Sequence, residues 1–385
     1  MSPNTFKASI LLTPGPVPVP PEVLEILAQP MEHHRTPNFE QVFTRVRANL
    51  KTVFGTRQPV FIHTSTGSGA MESALVNTLN RGDEVLSIVS GKFGERWADM
   101  AEVFGLKVHR INVKWGEAVD PSEVEKVLSA NKSIRAVLTQ ACETSTGVLH
   151  PIAALANLTS KTDALLIVDG ITAVGALPLP MDELGIDVLV AGSQKAFMLP
   201  TGISFIALSA RAWERAQKAN LPRYYFDLRK EKEANDRGES YYSTAVAHIK
   251  ALDVVLHWVE KRGIGFLYNR IGSLAKATRE AGKAMGLPSF AKSPSTSLTA
   301  LSLPEGIDGQ KLRASIESKY GVTLMGGQDQ LKGKILRIGH MGYISNEEMI
   351  TCFESIAHAL NDQKPNSVSD SQLKSAIETL KRELS

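Results

Sequence analysis

Between Pro59 and Leu208 the chain alternates short runs of Val, Ile and Leu with stretches in which apolar residues recur every three or four positions. Short β-branched runs fit buried strands, and a three-to-four period fits a helix with one apolar stripe. The candidate strands are PVFIH, EVLSIVS, KVHRINV, IRAVLTQ, ALLIVD, DVLVAG and SFIALS, most of them bounded by Gly, Asp or Ser. Such strands, alternating with helices, predict an α/β unit built on a seven-stranded, mostly parallel sheet. One intervening helix puts Ala70, Ala74, Leu75, Thr78 and Leu79 on a single face and stops at Gly82. The stretches from Pro121 to Ala130 and from Ile152 to Thr162 read the same way.

The period lapses from Leu221 to Tyr242, in the polar, tyrosine-bearing stretch YYFDLRKEKEANDRGESYYS. A long functional loop is the expectation there. A helix from about Thr244 to Arg262 then leads to a smaller α+β unit. Its predicted elements are a helix near Leu267 to Met285, a strand SLTALSL, a helix from Gln310 to Tyr320, a strand ILRIG and a helix from Asn346 to Leu360. The organisation expected is an N-terminal segment, 1–20, over the active site, a large domain, 21–255, a small domain, 256–360, and a polar tail, 361–385. The composition of NDQKPNSVSDS predicts a mobile tail. Leu373, Ile377, Leu380 and Leu384 share one helical face, so its end reads as a frayed surface helix or a partner-binding segment.

Length and composition narrow the class. With 385 residues, 43% of them hydrophobic, the chain can bury two cores. Charged residues make up 22% and nearly cancel, to +3, with Lys and Arg scattered, which is a poor footprint for nucleic acid. Cys142 and Cys352 are too few and too far apart for a disulfide framework or a cysteine zinc site. The histidines, His33 and His34 included, show no metal-ligand spacing, although His34 and Arg35 could approach an active site. The start, MSPNTFKASI, has no apolar secretory core, and no later run approaches the roughly 20 apolar residues of a membrane span. A soluble cytoplasmic protein is expected.

Three elements could meet at one sheet edge. Thr66-Gly67-Ser68-Gly69 lies between PVFIH and a helix, where glycines admit a close ligand and the helix start favours an anion. A turn that merely caps the helix would have the same composition. Asp169 ends ALLIVD at the carboxyl edge, where open α/β sheets bind ligands, or else caps the turn that follows. Lys195, in AGSQKA, follows DVLVAG, with small neighbours that leave room for a ligand. Together they offer an anion cradle, a carboxylate and an amine, which are the three anchors of a pyridoxal cofactor. Arg337, in ILRIGH, could grip a substrate carboxylate through paired hydrogen bonds, or form a surface salt bridge.

From about Leu11 to Leu360 the chain resembles the class V aminotransferases, with the alanine–glyoxylate and serine–glyoxylate subgroup nearest in likeness. The resemblance rests on LLTPGPVPVPPEVL, TSTGSGAMESAL, GKFGERW, ETSTGVLHPI, LLIVDGITAVGALPL, DVLVAGSQKAF and LRIGHMGY, all in the family's order. It implies the type I pyridoxal-phosphate transferase fold, and a homodimer with active sites at the interface. It further implies that Lys195 holds pyridoxal 5'-phosphate as a Schiff base, that Asp169 pairs with the pyridine nitrogen, and that Gln194 helps bind the cofactor. Thr66, Gly67 and Ser68 would hold the phosphate, Phe93 would stack on the ring, and Thr144 would approach its O3′. Arg337 would bind the substrate carboxylate, with the backbone near Gly15 closing the site.

Two positions depart from the family pattern. Phe93 stands where tryptophan or histidine is usual, which keeps stacking and loses a polar handle. Tyr242, Ser243 and Thr244 are candidates to reach the neighbouring subunit's phosphate, although YYSTAV matches only with a slip of a residue or two. The implied activity is ping-pong transfer of an amino group from a small amino acid (alanine, serine or aspartate) to a small 2-oxo acid (glyoxylate or pyruvate). Alternatives on the same fold are an aminoethylphosphonate transaminase, a lyase or a cysteine desulfurase; a non-catalytic subunit would have no need of Lys195, Asp169 and Arg337 together.

Overall fold

The computed structural model describes residues 9–385. Seven strands form the large sheet: β1 Val60–His63, β2 Glu84–Val89, β3 Lys107–Asn112, β4 Ile134–Gln140, β5 Leu165–Asp169, β6 Val188–Gly192 and β7 Ser204–Leu208. Their spatial order is β1-β7-β6-β5-β4-β2-β3. All run parallel except β7, which is antiparallel to both β6 and β1. Each of the seven apolar runs in the sequence is one of these strands.

Alternation along β5 shows how both faces are buried. Leu166 and Val168 join a cluster with Phe39, Phe43 and Leu50, whereas Leu165 and Ile167 join Met71, Leu75 and Trp97 on the other side. Each such side chain contributes about 1.5–3 kcal/mol through burial, so a charge placed at Val168 would break the sheet's centre. The helices behind these clusters include α1 Pro37–Phe54, α2 Gly67–Thr78 and α3 Lys92–Val103. α1 is absent from the sequence expectations, although Phe39, Phe43, Val46 and Leu50 mark its buried stripe.

Helix α4, Val246–Arg262, runs along the large core, and α5, Gly265–Ala284, enters the second one. There a three-stranded antiparallel sheet has β8 Leu298–Ser302 and β9 Met325–Gly326 on either side of β10 Ile335–Gly339. Leu12 belongs to this second core, because Ile10–Leu11 pairs in parallel with Val322–Thr323 and the Gly339 N–H donates to the Leu12 carbonyl. The part of the expected N-terminal segment before residue 9 lies outside the described residues.

Two stretches differ from expectation. The segment read as one long loop contains a helix, Leu228–Asn235, capped by Asp227. Its buried face includes Glu231 and Asn235, which bond each other, so the helix has little hydrophobic signal. The expected mobile tail is ordered as well. Helix α6, Asn346–Gln363, is followed by α7, Asp370–Leu384, which starts on a Ser369/Gln372 capping box. α7 buries Ala376, Leu380 and Leu384 in the small core, which is where the apolar face noted in the sequence goes. Among the described residues no helix is long and apolar enough to cross a membrane.

Candidate active site

The carboxyl ends of β4, β5 and β6 lie side by side, with Gln140 opposite Asp169 and Asp169 opposite Val190. A small cavity opens above them. From the large unit it is lined by Thr66, Gly67 and Ser68 at the start of α2, by Phe93 and Arg96 on α3, and by Thr144. Asp169, Ile171, Thr172, Gln194 and Lys195 complete it.

Lys195 is the chemical centre of this space. It is 9% exposed, and its amine donates one hydrogen bond, to the Pro14 carbonyl, at 2.7 Å. Burial lowers the amine to about 8, while negative charge on Asp169 opposes the shift. Roughly a tenth of the amine is therefore in the neutral form, which a nucleophile or proton carrier requires, at pH 7, against under a thousandth at its ordinary value. Gly15 is placed by the same lysine: its φ is +133°, and a Cβ there would overlap Lys195 Nζ.

Asp169 is 5% exposed, and burial raises its carboxyl to about 6, while the Ile171 N–H, donating at 2.8 Å, pulls it down. Above that pH it is a buried carboxylate without a fixed cation, a suitable partner for a protonated ring nitrogen. Gly67 lies against Ile171, leaving no room for a Cβ, and the Thr66 side chain makes no cap bond to the helix it begins. Gln194 Oε1 is buried without a partner. These open donors and acceptors fit a bound ring with an anionic arm.

Arg337 approaches from β10. It is 7% exposed, and it donates from Nη1 to the Thr144 carbonyl and from Nε to the Gly326 carbonyl, both at 2.9 Å. Burial lowers the guanidinium to about 10, so it is cationic at any physiological pH and has donors to spare for a carboxylate. Thr144 also shares a hydroxyl–hydroxyl bond with Thr172, at 2.9 Å.

The remaining sequence candidates lie elsewhere. Tyr242, Ser243 and Thr244 line a separate groove with His63 and Glu231, and the Tyr242 hydroxyl donates to the Tyr224 carbonyl at 3.0 Å. Arg35 pairs with Glu239 at 3.2 Å, and neither it nor His34 lines the cavity. Sequence reasoning missed Arg96, whose guanidinium sits 4.8 Å from the Phe93 ring centre and donates to Ser68 Oγ at 3.2 Å. Its only signal was a cation one helical turn beyond Phe93. The Pro14 carbonyl had no signal at all.

Cys142 and Cys352 are free and buried, with thiols pushed up to about 11 and about 12. Neither supplies the accessible thiolate that a desulfurase needs.

Comparison with known proteins gives the family and the fold. The family model described as "Aminotransferase class-V" matches residues 20–348. A soluble hydrogenase 42 kDa subunit from Anabaena cylindrica is 38% identical over 352 residues, which is 90% of this chain and 92% of that one. An L-aspartate–glyoxylate aminotransferase from Paracoccus denitrificans is 36% identical, covering 87% of each. The crystal structure of a subgroup IV aspartate aminotransferase from Thermus thermophilus superposes with a TM-score of 0.85 at 33% identity, over 92% of this chain and 99% of that one. The chain belongs to the class V aminotransferases and has the type I pyridoxal-phosphate transferase fold.

Proposed function

We propose that this class V aminotransferase uses pyridoxal 5'-phosphate to pass an amino group from a small amino acid to a small 2-oxo acid by a ping-pong route. Alanine, serine or aspartate is the donor in this reading, and glyoxylate or pyruvate the acceptor. The observation that carries it is the buried Lys195 amine, lowered to about 8 by burial and set among Asp169, Pro14 and Gly15. When bound, the cofactor supplies an electron sink for the bond broken at the substrate's α-carbon.

In this reading Lys195 would hold the cofactor at its aldehyde carbon, and its amine, when free, would carry the substrate's α-proton. Asp169 holds a proton on the ring nitrogen, and Phe93 covers the ring. Thr66, Gly67 and Ser68 receive the phosphate at the start of α2, with Gln194 beside them. Thr144 presents its hydroxyl to the ring oxygen. Arg337 binds the substrate's α-carboxylate, and Gly15 keeps water from the amine's open side.

A homodimer belongs to the same proposal, with Tyr242, Ser243 and Thr244 completing a second copy's phosphate site. Tyr224, Tyr225 and Tyr241 support it, being 74%, 42% and 39% exposed on that segment. A cytoplasmic setting is supported by two cysteines left unpaired.

The test is a half-reaction screen. L-Alanine, L-serine and L-aspartate are added in turn to holoenzyme without acceptor, while the cofactor's band near about 420 nm is followed. At least one of them should bleach it, and glyoxylate or pyruvate should restore it. If no amino acid does so, the transaminase reading fails.

A further inference from the structure

Helix α3 carries Phe93 and Arg96 into the cavity, yet nothing in its own sequence caps it. The residue before it is Gly91, which has no side chain to receive the first backbone N–H groups. The acceptors come from fifty residues further along the chain. Glu143 Oε2 accepts from Phe93 N at 3.2 Å and from Gly94 N at 3.1 Å, while Ser145 Oγ accepts from Lys92 N at 3.2 Å. The same carboxylate also accepts from Gln140 Nε2 at 3.0 Å and from the Ser145 N–H at 3.1 Å.

Glu143 is fully buried, and Gly91 is small because a Cβ there would run into this carboxylate and the Ser145 hydroxyl. Gly94 lies equally close against the backbone of β2. The GKFG stretch is thus shaped to lock Phe93 from both sides, and the lock is a negative charge at a helix N-terminus, where the dipole favours it. Burial pushes the carboxyl up, and the same hydrogen bonds oppose that shift. Thr144, next in the chain, holds Arg337 through its carbonyl. One turn therefore sets both the residue proposed to cover the ring and the cation proposed to grip the substrate.

We infer that Glu143 is a positioning residue, which acts through the first turn of α3 to hold the Phe93 ring over the cofactor. This rests on the reading that Phe93 covers that ring. Apoprotein is titrated with pyridoxal 5'-phosphate for wild type, Glu143→Gln, Phe93→Leu and the double variant. Visible circular dichroism of the bound cofactor and thermal midpoints of the apoproteins are recorded alongside.

Glu143→Gln is expected to weaken cofactor binding about threefold to tenfold, the scale of one aromatic contact, and to diminish the visible dichroic band. The double variant should bind no more weakly than Phe93→Leu alone, because both substitutions remove the same contact. Unchanged affinity and dichroism in Glu143→Gln, with only a lower melting point, would overturn the inference, and so would effects that multiply. If Phe93→Leu itself leaves affinity unchanged, the reading that Phe93 covers the ring falls. If Phe93→Leu weakens binding and Glu143→Gln does not, only the role of Glu143 falls. Should Glu143→Gln fail to fold, Ser145→Ala carries the same comparison, since it removes the Lys92 cap and one donor to the same carboxylate.

Discussion

Lys195 and Asp169 leave the ends of adjacent strands in the middle of a seven-stranded sheet, whereas Arg337 and Gly15, which touch the lining residues Thr144 and Lys195 without lining the cavity themselves, come from a three-stranded sheet and an irregular stretch of chain. The floor is fixed by side chains interdigitating on both faces of β5 and β6, and its two ionisable groups are displaced from their ordinary ranges by burial. The roof is held largely by hydrogen bonds to backbone carbonyls, with the Arg337 side chain donating to Thr144 and Gly326 and backbone N–H groups donating to Leu12 and Thr323. In the proposed reading, reactivity belongs to the strand ends of the large sheet and recognition to the side of the small core. A floor variant should change what the site can do, and a roof variant what it accepts.

Lys195→Ala should break the floor outright. Turnover is expected to fall by about 10⁴-fold, the upper range for a lost acid–base group, with substrate still bound through Arg337. Steady-state rates on equal amounts of folded protein decide this, and activity within tenfold of wild type would leave Lys195 without a role. Arg337→Lys should act on the roof alone. It keeps the charge and loses the paired geometry, so kcat/KM should drop about 10- to 100-fold, mostly through KM. A fall confined to kcat would place Arg337 with the chemistry.

The smallest effect separates the two regions without any substrate. Burial lowers the Lys195 amine from 10.5 to about 8, so below pH 8 the folded apoprotein carries the cost of burying a charged amine. Apo Lys195→Met should then be about 1–2 kcal/mol more stable than apo wild type at pH 7. The advantage should shrink as pH rises from 8 and vanish above 10.5, where wild type has lost the proton in both folded and unfolded states. Urea unfolding at the two pH values measures it; a gap that persists at high pH would point to packing instead.

The seven strands were legible because each is a short apolar run closed by Gly, Asp or Ser, and Asp169 and Lys195 because they sit at the ends of two such runs. Helix α1 was equally periodic and went unread. Leu228–Asn235 could not be read by hydrophobicity, since its buried face carries Glu231 and Asn235, the carboxylate accepting from Asn235 Nδ2 and from the Tyr241 N–H. Glu143 was out of reach for another reason. ETSTG looks like any polar turn, and the N–H groups that give its carboxylate a purpose belong to residues on another element. Tyr242, Ser243 and Thr244 lie in a groove apart from the cavity, and the phosphate proposed for them would be that of a second copy of the chain.

Leu12 and Pro14 leave the ribosome long before Gly339 and Val322, on which this stretch docks. Contacts so far apart in the chain form late, after local elements and the sheet are in place. A nascent molecule with its sheet complete but this segment undocked therefore leaves Lys195 uncovered, without the burial that lowers its amine. The segment that bears Pro14 docks on β10, the strand that also carries Arg337, so in the proposed reading the shielding of the amine and the grip on the substrate depend on one and the same docking.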